Sequence, residues 1–465
     1  MAEICPFSSR TLGFAVAGFG PAGCGFLLHA IKTHAIQDLV DQGLAIIDRA
    51  AVPGAGKVGD YQLTGNSLSR AFLDCADDPA LAWLFGDLCA SHPAVRQLRA
   101  MEFDAPPLDV VGDFLRAMAE RTRDHLVSEY GVPVLLETEI ERIRREENGD
   151  YTLLMHNVKT LHPVAIRCRN LISALGGRQS MEVVSKTEIL PGVALGETTD
   201  KLMVSDDFLT LSDEAIRDAI PLADGTGDVV VLGGSHSAIS TIDRLTQALA
   251  PNGLKRITML HEQPLRLYYA SAEEARAEGY PFYDPDDVCA MTGRVNRFGG
   301  LRYRSLDVAK SILKTKRMPE HDVEIRWLRL RSGDRAEVLG ALKEAPAVIA
   351  CMGYQANLPP VIDSRDDEIS LSNYPRGVEV DQQGRVMTAT AEPMEGLFAI
   401  GIGSTLLRRS EAIGGEASFR GVADGVWLYH NHGGAVVLNA LPIDHAKQQN
   451  QYAPTDRVAN NVQIY

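Results

Sequence analysis

Leu12-Gly13-Phe14-Ala15-Val16-Ala17-Gly18-Phe19-Gly20-Pro21-Ala22-Gly23 is a short apolar run that breaks into G-x-G-x-x-G and continues as Gly25-Phe26-Leu27-Leu28-His29-Ala30. It reads as strand, tight turn and helix. Glycines at these three places permit the turn, let backbone N–H groups approach a pyrophosphate, and let the helix pack closely on its strand; the helix N-terminus adds partial positive charge. The expected guest is a dinucleotide on Gly18, Gly20, Pro21, Ala22 and Gly23. A second apolar strand, Leu44-Ala45-Ile46-Ile47, ends in Asp48, where a carboxylate can accept hydrogen bonds from a ribose diol. A G-x-G-x-x-G by itself is weak evidence and fits a plain turn. Its strand, helix and terminal acid together make the signal specific.

The same grammar returns at Asp228-Val229-Val230-Val231-Leu232-Gly233-Gly234-Ser235-His236-Ser237-Ala238-Ile239-Ser240, with a following strand Arg256-Ile257-Thr258-Met259-Leu260. Gly233, Gly234, Ser235, His236 and Ser237 are the second set of phosphate-facing candidates. After that strand come His261, Glu262 and Arg266. An acid there favours NADH and an arginine pairs the 2′-phosphate of NADPH. Arg266 places NADPH first and leaves NADH open. Three further apolar runs end in small residues: Asn170 to Gly176-Gly177, Ala347 to Gly353-Tyr354, and Gly396 to Gly401-Ile402-Gly403. Each reads as a core strand whose end can reach a cofactor, through Gly176, Gly353, Gly401 and Gly403. The stretch Gly414 to Val426 is expected to form a glycine-started helix facing the ring edge of a cofactor.

The chain has 465 residues, enough for two or three cores, and its 46 Lys and Arg against 61 Asp and Glu give a net charge of −15. That sign argues against a phosphate-backbone footprint and against anionic membrane surfaces. No uninterrupted apolar run is long enough for a membrane span, and no metal-ligand spacing occurs. The seven cysteines are scattered and never spaced C-x-x-C, which is expected of a reduced, cytoplasmic protein.

Taken in order, these motifs resemble the two-dinucleotide-binding flavoproteins, an α/β class in which an FAD domain is split by an inserted NAD(P)H domain. Disulfide reductases of that group need a redox cysteine pair, which is absent. The narrower resemblance is to class B flavin monooxygenases, which include the N-hydroxylases of ornithine and lysine. It rests on Gly54-Ala55-Gly56-Lys57, on Tyr61 to Asn66-Ser67-Leu68-Ser69-Arg70, on Asp77-Asp78-Pro79, on Val204-Ser205-Asp206-Asp207-Phe208, and on Gly233-Gly234-Ser235-His236-Ser237-Ala238, where His236 stands in place of the family's Gln. Ile349 to Tyr354 is similar to the family's Ala-Thr-Gly-Tyr strand, with Met352 in place of Thr. The Baeyer–Villiger fingerprint F-x-G-x-x-x-H-x-x-x-W/Y is missing, which favours heteroatom oxygenation.

The resemblance implies FAD on the first unit and NADPH on the second, with hydride passing between them. The reduced flavin then captures O2 as a C4a-(hydro)peroxide that oxygenates a small amine, most simply an amino-acid-derived metabolite. It makes Asn66 the catalytic side chain beside flavin and nicotinamide, and adds Lys57 to the cofactor contacts. The alternatives are an FAD-dependent NAD(P)H dehydrogenase and a non-catalytic FAD-binding sensor. The layout expected is an FAD segment over 1–204, an NAD(P)H domain over 205–380, and a second FAD segment with tail over 381–465, the residues from about His445 pairing with another subunit or fraying. Arg294, Arg297, Arg302 and Arg304 crowd one glycine-broken loop and have three open readings: the NADP phosphate, a substrate acid group, or a solvated loop with structural ion pairs. Arg408-Arg409 reads as a surface pair or a contact to a substrate acid. The aromatic segment Tyr268 to Tyr283 reads as cleft lining, lid or interface.

Overall fold

The strand Leu12–Ala17 is buried along its whole length, as an interior strand of a parallel sheet must be when helices cover both faces. In the computed structural model, which describes residues 10–222, 228–331, 333–374, 377–407 and 413–443, this strand pairs in parallel with Leu44–Ile47 on one side. On the other side it pairs with the C-terminal half of Pro163–Ser173. Val134–Leu135 extends the sheet beyond Leu44–Ile47, and Pro393–Ala399 extends it beyond Pro163–Ser173. The helix Pro21–Lys32 makes the first crossover, its Pro21 at the one position where a missing N–H costs nothing.

Pro163–Ser173 is long enough to serve two neighbourhoods. Its N-terminal half pairs antiparallel with Tyr151–Asn157, which pairs with Thr138–Arg145, so a meander grows from the edge of the parallel sheet. Val361–Ile362 adds to that meander.

The second sheet is wholly parallel, in the order Leu202–Val204, Val348–Ala350, Asp228–Leu232, Arg256–His261, Glu324–Arg329. Its strands lie in the sequence between Pro163–Ser173 and Val361–Ile362, so the first sheet is interrupted by the second and then resumed. The chain is therefore α/β with two Rossmann-like dinucleotide-binding domains. Both first crossovers begin at a glycine turn, and in each sheet that turn lies at the carboxyl end of a central strand, where such sheets bind ligands.

The expected helix from Gly414 is not formed. Residues 413–425 are irregular, and the helical run begins at Val426, continuing through a π-helical turn at Tyr429–Gly433 to Ala440. Gly414, Gly415 and Gly425 all have positive φ, a conformation that interrupts a right-handed helix. Arg408, Arg409 and the segment from His445 lie outside the described residues. Among the described residues, no helix is long and apolar enough to cross a membrane.

Candidate active site

The first glycine turn is shaped by close backbone approach. Gly18 has φ +97°, and a Cβ there would collide with the carbonyl oxygen of Ala174; a Cβ on Gly23 would collide with the carbonyl oxygen of Gly18. Gly20 differs, since a Cβ on it would meet nothing nearer than Gly56 Cα at 3.9 Å. The turn thus needs two glycines for its own packing and keeps the third side open for a guest. Asp48 sits at its mouth, accepting hydrogen bonds from Phe19 N at 2.5 Å and Ala50 N at 2.7 Å. Burial pushes its carboxyl above the usual range, and those two N–H groups pull it back. Asp48 also lines a cavity of about 240 Å³ with Arg49, Glu139, Leu175, Arg178 and Asn357. Each carboxylate oxygen keeps a further lone pair for a ribose hydroxyl.

The late strand closes on the same place. A Cβ on Gly401 would lie 3.0 Å from Ala22 Cβ, and one on Gly403 would lie 2.9 Å from Ala356 Cα. Gly176 and Gly353 border open space, with nothing within 4 Å of a Cβ. Gly18, Gly20, Pro21, Ala22, Gly23, Asp48, Gly176, Gly401 and Gly403 are therefore brought together around one crevice, whose residues fit the diphosphate and ribose of a dinucleotide.

At the second turn, Gly233 fits against Cys351, whose carbonyl oxygen would lie 2.6 Å from an added Cβ. Gly234, Ser235, His236 and Ser237 follow at the start of the helix His236–Leu249. His236 Nε2 accepts from Arg302 N at 3.3 Å, and burial with the nearby Arg302 charge lowers its pKa to about 4, so the imidazole is neutral at pH 7.

The segment after Asp48 spans both units. Gly54 N donates to Phe19 O at 2.8 Å, and Gln62 N donates to Leu209 O at 2.9 Å. Between them Lys57 pairs with Asp206, a carboxylate only 2% exposed, which also accepts from the phenol of Tyr61 and from Tyr354 OH at 3.3 Å. Asn66 follows, exposed, on a stretch held by Gly65 N to Pro106 O at 2.8 Å and Ser69 N to Asp104 O at 2.9 Å. A cavity of about 280 Å³ lies between Tyr61–Gly65 and the helix His236–Leu249.

No family model matches the chain. It is 33% identical over 436 residues to the CMP-5'-(3-aminopropyl)phosphonate hydroxylase of Streptomyces rubellomurinus (strain ATCC 31215), covering 92% of this chain and 96% of that one. The chain belongs to the class B flavin monooxygenases, in the N-hydroxylase-like group. Solved structures carry the same fold at low identity. The FAD-bound cadaverine monooxygenase DfoA of Erwinia amylovora is 13% identical with TM-score 0.55, covering 93% of this chain and 95% of that one. The ornithine hydroxylase PvdA of Pseudomonas aeruginosa is 14% identical with TM-score 0.56, covering 93% of this chain and 99% of that one. Membership of this family makes the chain an FAD-dependent NAD(P)H monooxygenase.

Within this class B monooxygenase, two of the expected cofactor contacts are engaged elsewhere in the protein. Lys57 is held by Asp206 and lies 3.6 Å from Asp207. Arg266 donates to Ser418 Oγ at 3.0 Å and to Ser418 O at 3.5 Å, so its guanidinium ties the second domain to the late FAD-side segment. The arginine loop divides its labour. Arg304 is bidentate to Asp243 and pairs with Glu320, the structural ion-pair reading. Arg297 donates to Ile413 O at 2.5 Å and stacks over Phe298. Arg302 faces a separate cavity. Two groups escaped the sequence reading: the Asp206 carboxylate, and Glu416, 1% exposed, which accepts from Phe298 N at 3.1 Å and Gly299 N at 2.8 Å. Only Val204-Ser205-Asp206-Asp207-Phe208, one of the motifs that carry the family resemblance, hinted at the first.

Proposed function

We propose that the enzyme N-hydroxylates a small primary amine that also carries an acidic group, with Asn66 at the reacting centre. The observation that carries this reading is the single stretch Gly54–Gln62, bonded to the first glycine turn through Gly54 and to the second domain through Tyr61 and Gln62; Asn66, four residues on, is the polar side chain we assign to the reacting centre. Bound FAD, reduced by NAD(P)H, supplies the oxygen activation. The protein supplies position. Gly18, Gly20 and Gly23 seat the FAD diphosphate, Asp48 takes a ribose hydroxyl, and Gly233 to Ser237 take the NADP(H) diphosphate. Asn66 offers an NH2 donor group and a carbonyl acceptor with no side-chain hydrogen bond to a described residue, which leaves both for the reacting groups. His236, neutral and fixed by Arg302 N, presents no extra charge at the second turn.

The amine is supported by the family relative, whose name gives the CMP conjugate CMP-5'-(3-aminopropyl)phosphonate, and the acidic group by the arginine loop. We test the reading with the purified yellow protein. NADPH should bleach the flavin anaerobically, and a panel of acidic amines in air should give products heavier by one oxygen on nitrogen. Rapid bleaching with no oxygenated product from any amine would transfer the chain to the electron-transfer reading.

A further inference from the structure

Directly beyond Asn66, residues Ser67, Leu68, Ala71 and Phe72 form one wall of a cavity of about 80 Å³, and Tyr268, Arg302 and Tyr303 form another. Its size suits a small head group. Arg302 is held there by two contacts: its backbone N–H donates to His236 Nε2, and its guanidinium lies over the Tyr268 ring at 4.6 Å. Stacking engages the face of the guanidinium and leaves the N–H edges free. Its Nε is buried with no hydrogen-bond partner. Among the described residues no carboxylate is paired with Arg302, whereas Arg304, two positions on, has both Asp243 and Glu320. A half-buried guanidinium with no carboxylate partner, opening on a cavity, is suited to receive an anion.

The remaining polar wall agrees. Asp424 is the only acid lining the cavity among the described residues. It is exposed toward the cavity, and partial desolvation raises its pKa to about 6 against the hydrogen bond from Tyr429. Asp424 stays largely ionised at neutral pH, and its carboxylate is engaged by the phenol of Tyr429, which donates to Oδ1 at 2.8 Å. Arg294 and Arg297 lie close enough to Arg302 to lower its pKa further, after burial, so the local field is positive inside a chain of net charge −15.

We infer that Arg302 holds the acidic head group of the amine substrate in this cavity, next to Asn66, and that a tetrahedral phosphonate or phosphate fits its fork better than a carboxylate. The inference rests on the amine-hydroxylase reading for its meaning and on binding for its test. The FAD-loaded enzyme and its Arg302→Gln and Arg302→Lys variants are titrated calorimetrically with 3-aminopropylphosphonate, 4-aminobutyrate and propylamine. NADPH-driven flavin bleaching is measured in parallel.

The wild type should bind 3-aminopropylphosphonate more tightly than 4-aminobutyrate and both far more tightly than propylamine. Arg302→Gln should weaken the phosphonate by about thirtyfold, as loss of a charge-assisted pair implies, and leave propylamine unchanged. Arg302→Lys, which keeps charge without the fork, should fall between. Unchanged phosphonate affinity in Arg302→Gln, an equal loss for propylamine, or a loss confined to NADPH-driven bleaching would overturn the assignment, the last by giving Arg302 to the nicotinamide cofactor. Tight, Arg302-dependent phosphonate binding with no hydroxylated product would uphold the head-group site while removing the hydroxylase reading.

Discussion

The phenol of Tyr61 lies 2.9 Å from the phenol of Tyr354, 293 positions away in the chain. Tyr61 belongs to the segment that leaves the FAD-side glycine turn, and Tyr354 follows the Val348–Ala350 strand of the second sheet. Both reach the carboxylate of Asp206. Burial, together with these partners, raises both phenol pKa values, that of Tyr354 to about 12, so each stays protonated and each can donate. The orientation of the two domains is thus specified by a hydrogen-bonded cluster as well as by apolar packing.

Removing either phenol should loosen that specification. Tyr61→Phe and Tyr354→Phe should each cost about 1 kcal/mol in urea unfolding, and the double variant should cost less than the sum because the two hydroxyls share one partner. The catalytic signature is lost coupling: NADPH consumption should persist while hydroxylated product per NADPH falls. Additive stability losses with full coupling would mean that the cluster does not set domain geometry.

The glycines of the first crevice should separate by cause of failure. Gly18→Ala drives a methyl into the Ala174 carbonyl at φ +97°, so it should abolish soluble, yellow protein. Gly176→Ala meets nothing within 4 Å, so the chain should fold, at a cost of about 1 kcal/mol for its φ of +71°, while the methyl intrudes on the open crevice. We expect a normal circular dichroism spectrum and weaker FAD retention on gel filtration. Full FAD retention in Gly176→Ala would place the flavin away from this edge.

Arg266→Ala should leave the NADPH concentration needed for half-maximal flavin bleaching unchanged, because its guanidinium is committed to Ser418. The effect should fall on the packing of the loops it joins, where Ser418 also donates to Asp287 Oδ1 at 2.5 Å. Limited proteolysis near residues 413–421 should accelerate. A large rise in the NADPH requirement would restore Arg266 to the 2′-phosphate.

Both glycine turns, their strands and the terminal Asp48 were legible because strand, turn and helix are local patterns, written in contiguous residues. The Asp206 cluster was not, because its members are 145 to 149 positions apart and only the fold makes a half-exposed Lys57 and two tyrosines converge on one carboxylate. The arginine loop was visible as a concentration of charge, yet its division into a structural Arg304 and a cavity-facing Arg302 depends on where Asp243 and Tyr268 stand. The Gly414 segment misled for a physical reason. Glycine at a helix start and glycine in an irregular loop look alike in sequence and differ only in φ, here +68° at Gly414 and +121° at Gly415.

Acid should destabilise the enzyme through buried histidines, and His430 isolates the effect. It is 5% exposed on the π-helical turn that packs against Gly25, and burial lowers its pKa from 6.5 to about 4. Between those values the unfolded chain binds a proton that the folded chain refuses. The stability from keeping this ring neutral is therefore present above pH 6.5 and is lost as pH falls toward 4, at about 1.4 kcal/mol per pH unit. Asp424 acts in the opposite sense and more weakly, because its carboxyl is exposed to solvent: its folded pKa is raised above 3.8, so the folded chain binds the extra proton and stability falls slightly as pH rises through that window. Urea unfolding between pH 4 and 6 should show a slope shallower by about one proton in His430→Leu than in the wild type. The slope should steepen in Asp424→Asn. Identical slopes in all three proteins would mean that neither group is desolvated as the fold implies.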